Sequence, residues 1–164
     1  MAVIETADCT PLFFWYEGKR GDMPIGGVIH VGWRGLCRGI ETRMLERLEQ
    51  LHLSLDFQRL HVFLGPSIAA ECYEVGEDLL EQFASHAFRD EIFFKISRGD
   101  QSPHWVLDVK KGIRRSLEAS GIPSWNITES PLCTFCEPER FPSYRRARGT
   151  GQRIHNFLCL RPPG

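Results

Sequence analysis

The sequence lacks the features of membrane-spanning and exported proteins. No apolar run reaches the roughly 18 residues that a membrane helix requires, and residues 1–8 have neither the basic segment nor the long apolar segment of a signal peptide. We therefore expect a cytoplasmic protein with no membrane contact. In a reducing cytoplasm, the six cysteines are predicted to be thiols, metal ligands or core residues instead of a disulfide framework.

An excess of charge of either sign is also missing. The 164-residue chain has a formal net charge of −1, so total charge does not indicate a nucleic-acid partner. Internal repeats and low-complexity segments are absent too. The composition is 42% hydrophobic and 25% charged, which is typical of globular proteins. The length fits a single domain, residues 1–164, with a hydrophobic core of its own.

Hydrophobic patterning predicts a hairpin followed by alternating helices and strands. The two arms of the hairpin are residues 11–16 and 25–31, joined by a polar turn. Helices are predicted over residues 36–51, 78–86 and 105–120, from apolar positions three or four residues apart. Short strands are predicted at 61–64, 92–97, 125–128 and 154–160, and a basic loop at 144–150. This order favours an α+β or layered sandwich fold over an all-parallel sheet.

Cys9 and His30 lie at the ends of predicted strands, where antiparallel hairpin arms can bring their side chains together. Thiolate and imidazole are common zinc ligands, and a catalytic zinc has three protein ligands plus a water. Three interpretations stay open: a buried cysteine and a hydrogen-bonded histidine, two zinc ligands, or a Cys–His nucleophile pair. Spacing alone favours the first.

Two arginine-bearing segments are candidates for anion binding. Arg34 follows His30 in a glycine-flanked turn at the start of a predicted helix, and Arg145 and Arg146 lie in the basic loop. A guanidinium can bind phosphate or carboxylate through paired donors, and a helix N-terminus favours an anion. Surface roles or an RNA contact are the alternatives, but one short basic patch is weak evidence for nucleic acid.

Cys133 and Cys136 form a single Cys-x-x-Cys motif. A structural zinc site needs a second such pair or suitably spaced histidines. We therefore interpret this motif as two separate thiols.

A resemblance to a known family rests on six segments. They are Thr6-Ala7-Asp8-Cys9-Thr10-Pro11, Val28-Ile29-His30-Val31-Gly32-Trp33-Arg34-Gly35-Leu36, Gly65-Pro66-Ser67-Ile68, Cys72-Tyr73-Glu74-Val75-Gly76, Cys133-Thr134-Phe135-Cys136 and Ser143-Tyr144-Arg145-Arg146. In this order, over residues 2–160, they closely resemble the YfiH family. It is also called the laccase-domain family, and its members carry the names polyphenol oxidase and peptidoglycan editing factor.

The resemblance implies a layered α/β/β/α sandwich with mixed sheets. It implies a zinc-dependent enzyme that phosphorolyses purine nucleosides and deaminates adenosine, with purine nucleoside and phosphate as its partners. Cys9 and His30 match two zinc ligands of the family, and Asp8 is expected to orient a ligand or to shuttle a proton. Arg34, Arg145 and Arg146 match positions near the pocket, where phosphate or ribose binding is expected. No oligomeric state is predicted.

One departure from the family concerns the metal. The family's third zinc ligand is a histidine in an upstream Gln-Val-His-Gly-like segment, so we expect an N-terminally truncated member. Two other functions stay open: a hydrolase that edits peptidoglycan precursors, and an inactive member that binds a nucleotide or a partner. A copper polyphenol oxidase is disfavoured, because multicopper centres need more clustered histidines than this sequence offers.

Overall fold

The computed structural model describes residues 1–17, 25–51, 55–99, 103–149 and 151–161. The strands in these residues are β1 (Ala2–Thr6), β2 (Thr10–Tyr16), β3 (Ile25–Val31), β4 (Leu60–Leu64), β5 (Glu74–Val75), β6 (Phe93–Ile96), β7 (His104–Leu107), β8 (Ile127–Glu129) and β9 (Ile154–Leu158). The α-helices are α1 (Trp33–Cys37), α2 (Ile40–Leu51), α3 (Glu77–Gln82), α4 (Arg89–Ile92), α5 (Val109–Ala119) and α6 (Tyr144–Ala147). Within these ranges, no helix has the length and apolar character needed to cross a membrane.

The largest sheet has four strands in the order β3-β2-β4-β8. β2 is antiparallel to both β3 and β4, whereas β8 runs parallel to β4. The predicted hairpin is therefore confirmed, with Thr10 opposite Val31 at one end and Tyr16 opposite Ile25 at the other. The predicted turn falls largely on residues 18–24, which lie outside the described residues.

The other strands form two smaller sheets. β1 and β9 form an antiparallel pair that joins the two ends of the described chain, and β5, β7 and β6 form a three-stranded antiparallel sheet. The four-stranded sheet contains both antiparallel and parallel pairs, and helices accompany all three sheets. The predicted mixed α+β class is therefore confirmed.

The core lies between the four-stranded sheet and the helices. Leu12 and Leu64 of the sheet are fully buried, as are Leu36 of α1 and Ile113 and Leu117 of α5. Burial of each such side chain contributes about 1.5–3 kcal/mol to folding. This core holds the end of the hairpin against α1, and the predicted site residues His30 and Arg34 lie on these two elements.

The single helix predicted over residues 36–51 is wrong in one respect. The structure has two helices there, because Gly39 has a φ of +64° between the end of α1 at Cys37 and the start of α2 at Ile40. Glycine adopts this left-handed conformation without steric cost. The apolar spacing is continuous across the break, so periodicity alone does not reveal it.

The helix predicted over residues 105–120 begins too early. The residues from His104 to Leu107 form strand β7, and α5 starts only after Asp108. The Asp108 carboxylate accepts the backbone N–H of Lys111 at 2.9 Å and so caps the helix.

Two further boundaries differ from the predictions. The helix predicted over residues 78–86 ends at Gln82. The predicted basic loop contains one helical turn, α6, because the Ser143 side chain accepts the N–H of Arg146 and caps it. Residue 150, the end of that predicted loop, lies outside the described residues.

Candidate active site

A cavity of about 590 Å³ opens where the start of β2 and the end of β3 meet the first turn of α1. Five of the six predicted site residues line it: Asp8, Cys9, His30, Arg34 and Arg145. Arg146 does not line it. A more open depression of similar volume, next to Glu5, Phe141 and His155, holds none of the predicted residues.

The turn between β1 and β2 positions both Asp8 and Cys9. Asp8 has a φ of 84°, a conformation that aspartate tolerates better than most residues. Its carbonyl oxygen accepts the backbone N–H of Ile68 at 2.9 Å, which fixes the turn against the segment after β4. The turn therefore presents two consecutive functional groups, a carboxylate and a thiol, from a defined backbone.

The Asp8 carboxylate is buried and accepts three hydrogen bonds. Oδ1 accepts the hydroxyl of Thr134 at 2.7 Å, while Oδ2 accepts the hydroxyl of Ser143 at 3.0 Å and the backbone N–H of Arg145 at 2.7 Å. Thr134 and Ser143 are also buried. Asp8 thus joins the first turn of the chain to two segments that lie far away in sequence, an arrangement that sequence reasoning missed.

The Cys9 thiol is half-buried and lies against Gly32. A Cβ atom built on Gly32 would lie only 2.7 Å from the Cys9 sulfur, so this close approach requires glycine. Burial raises the pKa of the Cys9 thiol, the charge of Asp8 raises it further, and the charge of Arg34 lowers it. A cation beside the sulfur would favour the thiolate over the thiol.

His30 borders the same cavity from β3, and Cys9 borders it from the turn before β2. His30 is exposed and pairs with Pro11 across the hairpin, one position from the end of β3. Within the described ranges, no third histidine, cysteine or carboxylate lies close enough to Cys9 and His30 to complete a three-ligand metal site. A group of three possible ligands does form elsewhere, from Cys72, Cys133 and Cys136.

Two arginines of the cavity each lie over an aromatic ring. The guanidinium carbon of Arg34 is 4.3 Å from the ring centre of Trp33, and that of Arg145 is 4.8 Å from the ring centre of Tyr73. Arg145 also donates to the carbonyl oxygen of Glu74 at 2.6 Å. Stacking on aromatic rings restricts the guanidinium groups before any ligand binds.

Tyr73 is a cavity residue for which the sequence offers only a weak signal, its place in the Cys72–Gly76 segment. Burial raises the pKa of the Tyr73 hydroxyl to about 12, the charge of Cys9 also raises it, and the charge of Arg145 lowers it. The hydroxyl therefore keeps its proton at neutral pH and can donate a hydrogen bond.

The geometry does not support phosphate binding by Arg146. Its guanidinium donates to the carbonyl oxygens of Thr134, Phe135 and Phe141, at 2.9, 2.7 and 2.6 Å. The side chain faces the backbone of its own loop instead of the cavity. Arg146 therefore braces the segment that supplies Thr134 to Asp8.

Comparison with known proteins assigns the chain to a family. The model of the family described as multi-copper polyphenol oxidoreductase laccase matches residues 1–161. The chain belongs to this laccase family. A solved member, the hypothetical protein YfiH of Bacillus licheniformis, superposes with a TM-score of 0.79 at 30% identity, over 93% of this chain and 55% of that one. The YfiH-type fold expected from the sequence is confirmed.

Relatives within the laccase family carry nucleoside-enzyme names. The chain is 33% identical to a protein named adenosine deaminase RL5 from an unknown prokaryotic organism, over 87% of this chain and 52% of that protein. It is 32% identical to a purine nucleoside phosphorylase of Xylella fastidiosa (strain Temecula1), over 92% of this chain and 53% of that protein. The chain thus spans about half the length of these relatives.

Proposed function

We propose that the chain carries the main part of the active site of a zinc-dependent purine nucleoside phosphorylase that also deaminates adenosine. The observation that carries this proposal is one cavity in which a thiol and an imidazole, Cys9 and His30, lie with the stacked guanidinium groups of Arg34 and Arg145. The names of the relatives, purine nucleoside phosphorylase and adenosine deaminase, support the same chemistry.

The donors at the cavity fit zinc better than a multicopper centre. Thiolate and imidazole are zinc ligands, and three protein ligands complete a catalytic site. Three other described histidines lie next to carboxylates away from the cavity: His61 at Glu17, His104 at Glu74 and His155 at Glu5. Cys9 and His30 would hold the zinc in our proposal, with a third ligand from an upstream segment of the kind that the family carries or from another chain.

In phosphorolysis, the chain's arginines would bind and orient phosphate. Arg34 and Arg145 are the cations that their aromatic neighbours hold at the cavity, so they can neutralise the phosphate charge with little reorganisation. A phosphate oxygen would form a bond to the ribose C1′ as the bond from C1′ to the purine breaks. The electron pair leaves with the purine, which takes up a proton.

Deamination would use the other half of the cavity. When bound, zinc supplies Lewis-acid activation of a water molecule. Asp8 would act as a positioning residue, because its two oxygens already accept three hydrogen bonds that fix the Cys9 turn and the Arg145 backbone. Tyr73 would donate its hydroxyl proton in a hydrogen bond to the substrate.

A second candidate is a nucleoside-binding chain without turnover. A catalytic zinc takes three protein ligands. Among the described residues the cavity offers two, Cys9 and His30, which favours this alternative.

One assay separates the two functions. The purified chain, supplied with Zn²⁺, is incubated with adenosine in the presence and absence of phosphate, and products are separated by chromatography. Phosphate-dependent adenine and phosphate-independent inosine are expected from the native protein and from Cys159→Ala, which changes an exposed cysteine. Both products should fall to background in Cys9→Ala. If the native protein exceeds Cys9→Ala in neither product, the enzyme is rejected, and adenosine binding without product would identify the binder.

A further inference from the structure

Three cysteines from two distant segments meet outside the cavity. Cys72 ends a short helical turn, Ala70–Cys72, whereas Cys133 and Cys136 lie in the loop between β8 and α6. Their three sulfur atoms all lie within 4.8 Å of one another, and those of Cys72 and Cys136 are 3.3 Å apart. None of the three lines the cavity that holds Cys9 and His30.

The spacing of the sulfur atoms suits a thiophilic cation. With a zinc–sulfur bond of about 2.3 Å, tetrahedral geometry places neighbouring sulfur atoms about 3.8 Å apart. The distances between these sulfurs, 3.3 Å for the closest given pair and at most 4.8 Å, bracket that value. Binding a cation would therefore change each sulfur–sulfur distance by at most about 1 Å.

The backbone around Cys133 provides a hydrogen-bond donor to its sulfur. The N–H of Ala69 donates to the Cys133 sulfur at 3.3 Å. A backbone N–H that points at a sulfur atom favours the thiolate over the thiol, as backbone amides favour other anions.

We propose that Cys72, Cys133 and Cys136 form a second metal site, a three-thiolate site for Zn²⁺ whose fourth position opens to solvent beside the exposed Cys136. The chemistry of three thiolates selects a soft or borderline cation over Mg²⁺ or Ca²⁺. The site is separate from the proposed catalytic zinc, so either can exist without the other.

A disulfide between Cys72 and Cys136 is the competing use of these thiols. It would require their sulfur atoms to approach from 3.3 Å to about 2.05 Å. It would also leave out the sulfur of Cys133, which lies within 4.8 Å of the other two and accepts the N–H of Ala69. A disulfide joins two sulfur atoms, whereas a shared cation accounts for all three.

The position of the site suggests a bracing role. Thr134 lies between two of the cysteines and donates to Asp8, and Tyr73 follows the third and lines the cavity. A cation at the three thiols would tie the Ala70–Cys72 turn to the 133–136 loop, and both segments carry residues of the candidate active site.

Cobalt substitution tests the proposal. The full chain, reduced with a thiol-free reductant and stripped of metal, is titrated with Co²⁺ and then with Zn²⁺. We expect thiolate-to-cobalt charge-transfer bands in the near ultraviolet with the intense visible absorption of tetrahedral cobalt, and loss of both on adding Zn²⁺. The bands should persist in Cys159→Ser and in Cys9→Ala, which removes the thiolate of the proposed catalytic site. The bands that remain in Cys9→Ala should disappear when Cys136→Ser is added to it.

Two results would overturn the second site. One is the absence of thiolate bands in reduced Cys9→Ala, and the other is an unchanged spectrum when Cys136→Ser is added to Cys9→Ala. Circular dichroism of Cys136→Ser checks its folding, and Cys72→Ser provides a second variant if the first unfolds. Because Cys9→Ala removes a proposed catalytic ligand and leaves the trio intact, failure of the enzyme proposal is distinguishable from failure of this one.

Discussion

Asp8 accepts the backbone N–H of Arg145 at 2.7 Å, although 137 residues separate the two in the chain. This bond places the Arg145 guanidinium at the cavity while the same carboxylate fixes the turn that carries Cys9. The proposed phosphate ligand and the proposed metal ligand therefore share one buried anchor.

Replacing that anchor tests its role. Asp8→Asn keeps the size of the side chain but replaces one of the two acceptor oxygens with an NH₂ group. That NH₂ group would face the hydrogen-bond donors of Thr134, Ser143 or Arg145 and could not accept from them. We expect unfolding to become easier by about 1–3 kcal/mol, since buried donors lose their acceptor, and the KM for phosphate to rise. Urea unfolding and phosphate titration measure these changes.

A matched control for Asp8→Asn is Asp90→Asn, whose carboxylate is exposed and pairs with the neighbouring Arg89. It should leave both quantities unchanged. A variant Asp8→Asn with native stability and native phosphate KM would contradict the anchoring role.

Gly32 tests the position of the Cys9 thiol. In Gly32→Ala the new Cβ would lie 2.7 Å from the Cys9 sulfur, so the thiol must move. We expect a stability loss of about 1–3 kcal/mol from overpacking and a clear loss of phosphorylase and deaminase activity. Gly151→Ala is the control, because a Cβ there would have no neighbour within 4 Å. Equal activities in the two variants would argue against a catalytic position for Cys9.

Arg34 tests the phosphate site. Arg34→Met preserves most of the stem that packs near Trp33 but removes the charge. Loss of one charged hydrogen bond costs about 1.5–3 kcal/mol, so the KM for phosphate should rise by about tenfold or more while the KM for adenosine changes little. The comparison is made at constant ionic strength, with Arg43→Met on the exposed side of α2 as the control. An equal rise in the KM for phosphate and the KM for adenosine would indicate that Arg34 supports the structure of the whole site and does not bind phosphate specifically.

The local elements of this fold were accessible from the sequence where one pattern dominated. The apolar arms around Leu12 and Val28 predict the hairpin, because each arm is a short apolar run bounded by turn residues. The pattern failed where a strand ran directly into a helix, as at Asp108. Apolar residues such as Trp105 and Val106 fit a buried strand and a buried helix face equally well, so the boundary is marked by the helix cap at Asp108.

The candidate site was accessible only in part, for a physical reason. Pro11, two residues after Cys9, pairs with His30 across the hairpin, so local pairing brings the two predicted ligands to the same end of it. The partners of Asp8 lie 126 to 137 residues away, and Cys72 lies 64 residues from Cys136. Contacts at such separations depend on tertiary packing, which residue spacing does not encode.

Glu41 carries a pH-dependent prediction away from the site. This side chain is only 1% exposed at the start of α2, and its Oε2 has no hydrogen-bond partner among the described residues. Burial raises its pKa in the folded state, although hydrogen bonds from its own backbone N–H and from Ser116 lower it. The folded protein therefore binds this proton more readily than the unfolded chain does. Its stabilising contribution is complete below the unfolded pKa and is lost as pH rises through the folded pKa.

Glu41→Gln removes this titration without changing the side-chain shape. We expect the variant to match the native protein at about pH 4 and to be more stable than it at about pH 8, where native Glu41 must be charged or must retain a proton. The gain is reduced by the favourable field of the α2 N-terminus, worth about 0.3–1 kcal/mol to an anion. Urea unfolding at both pH values measures the difference, with the exposed Glu49→Gln in the same helix as the control. If Glu41→Gln changed stability equally at both pH values, the effect would come from packing and not from the buried charge.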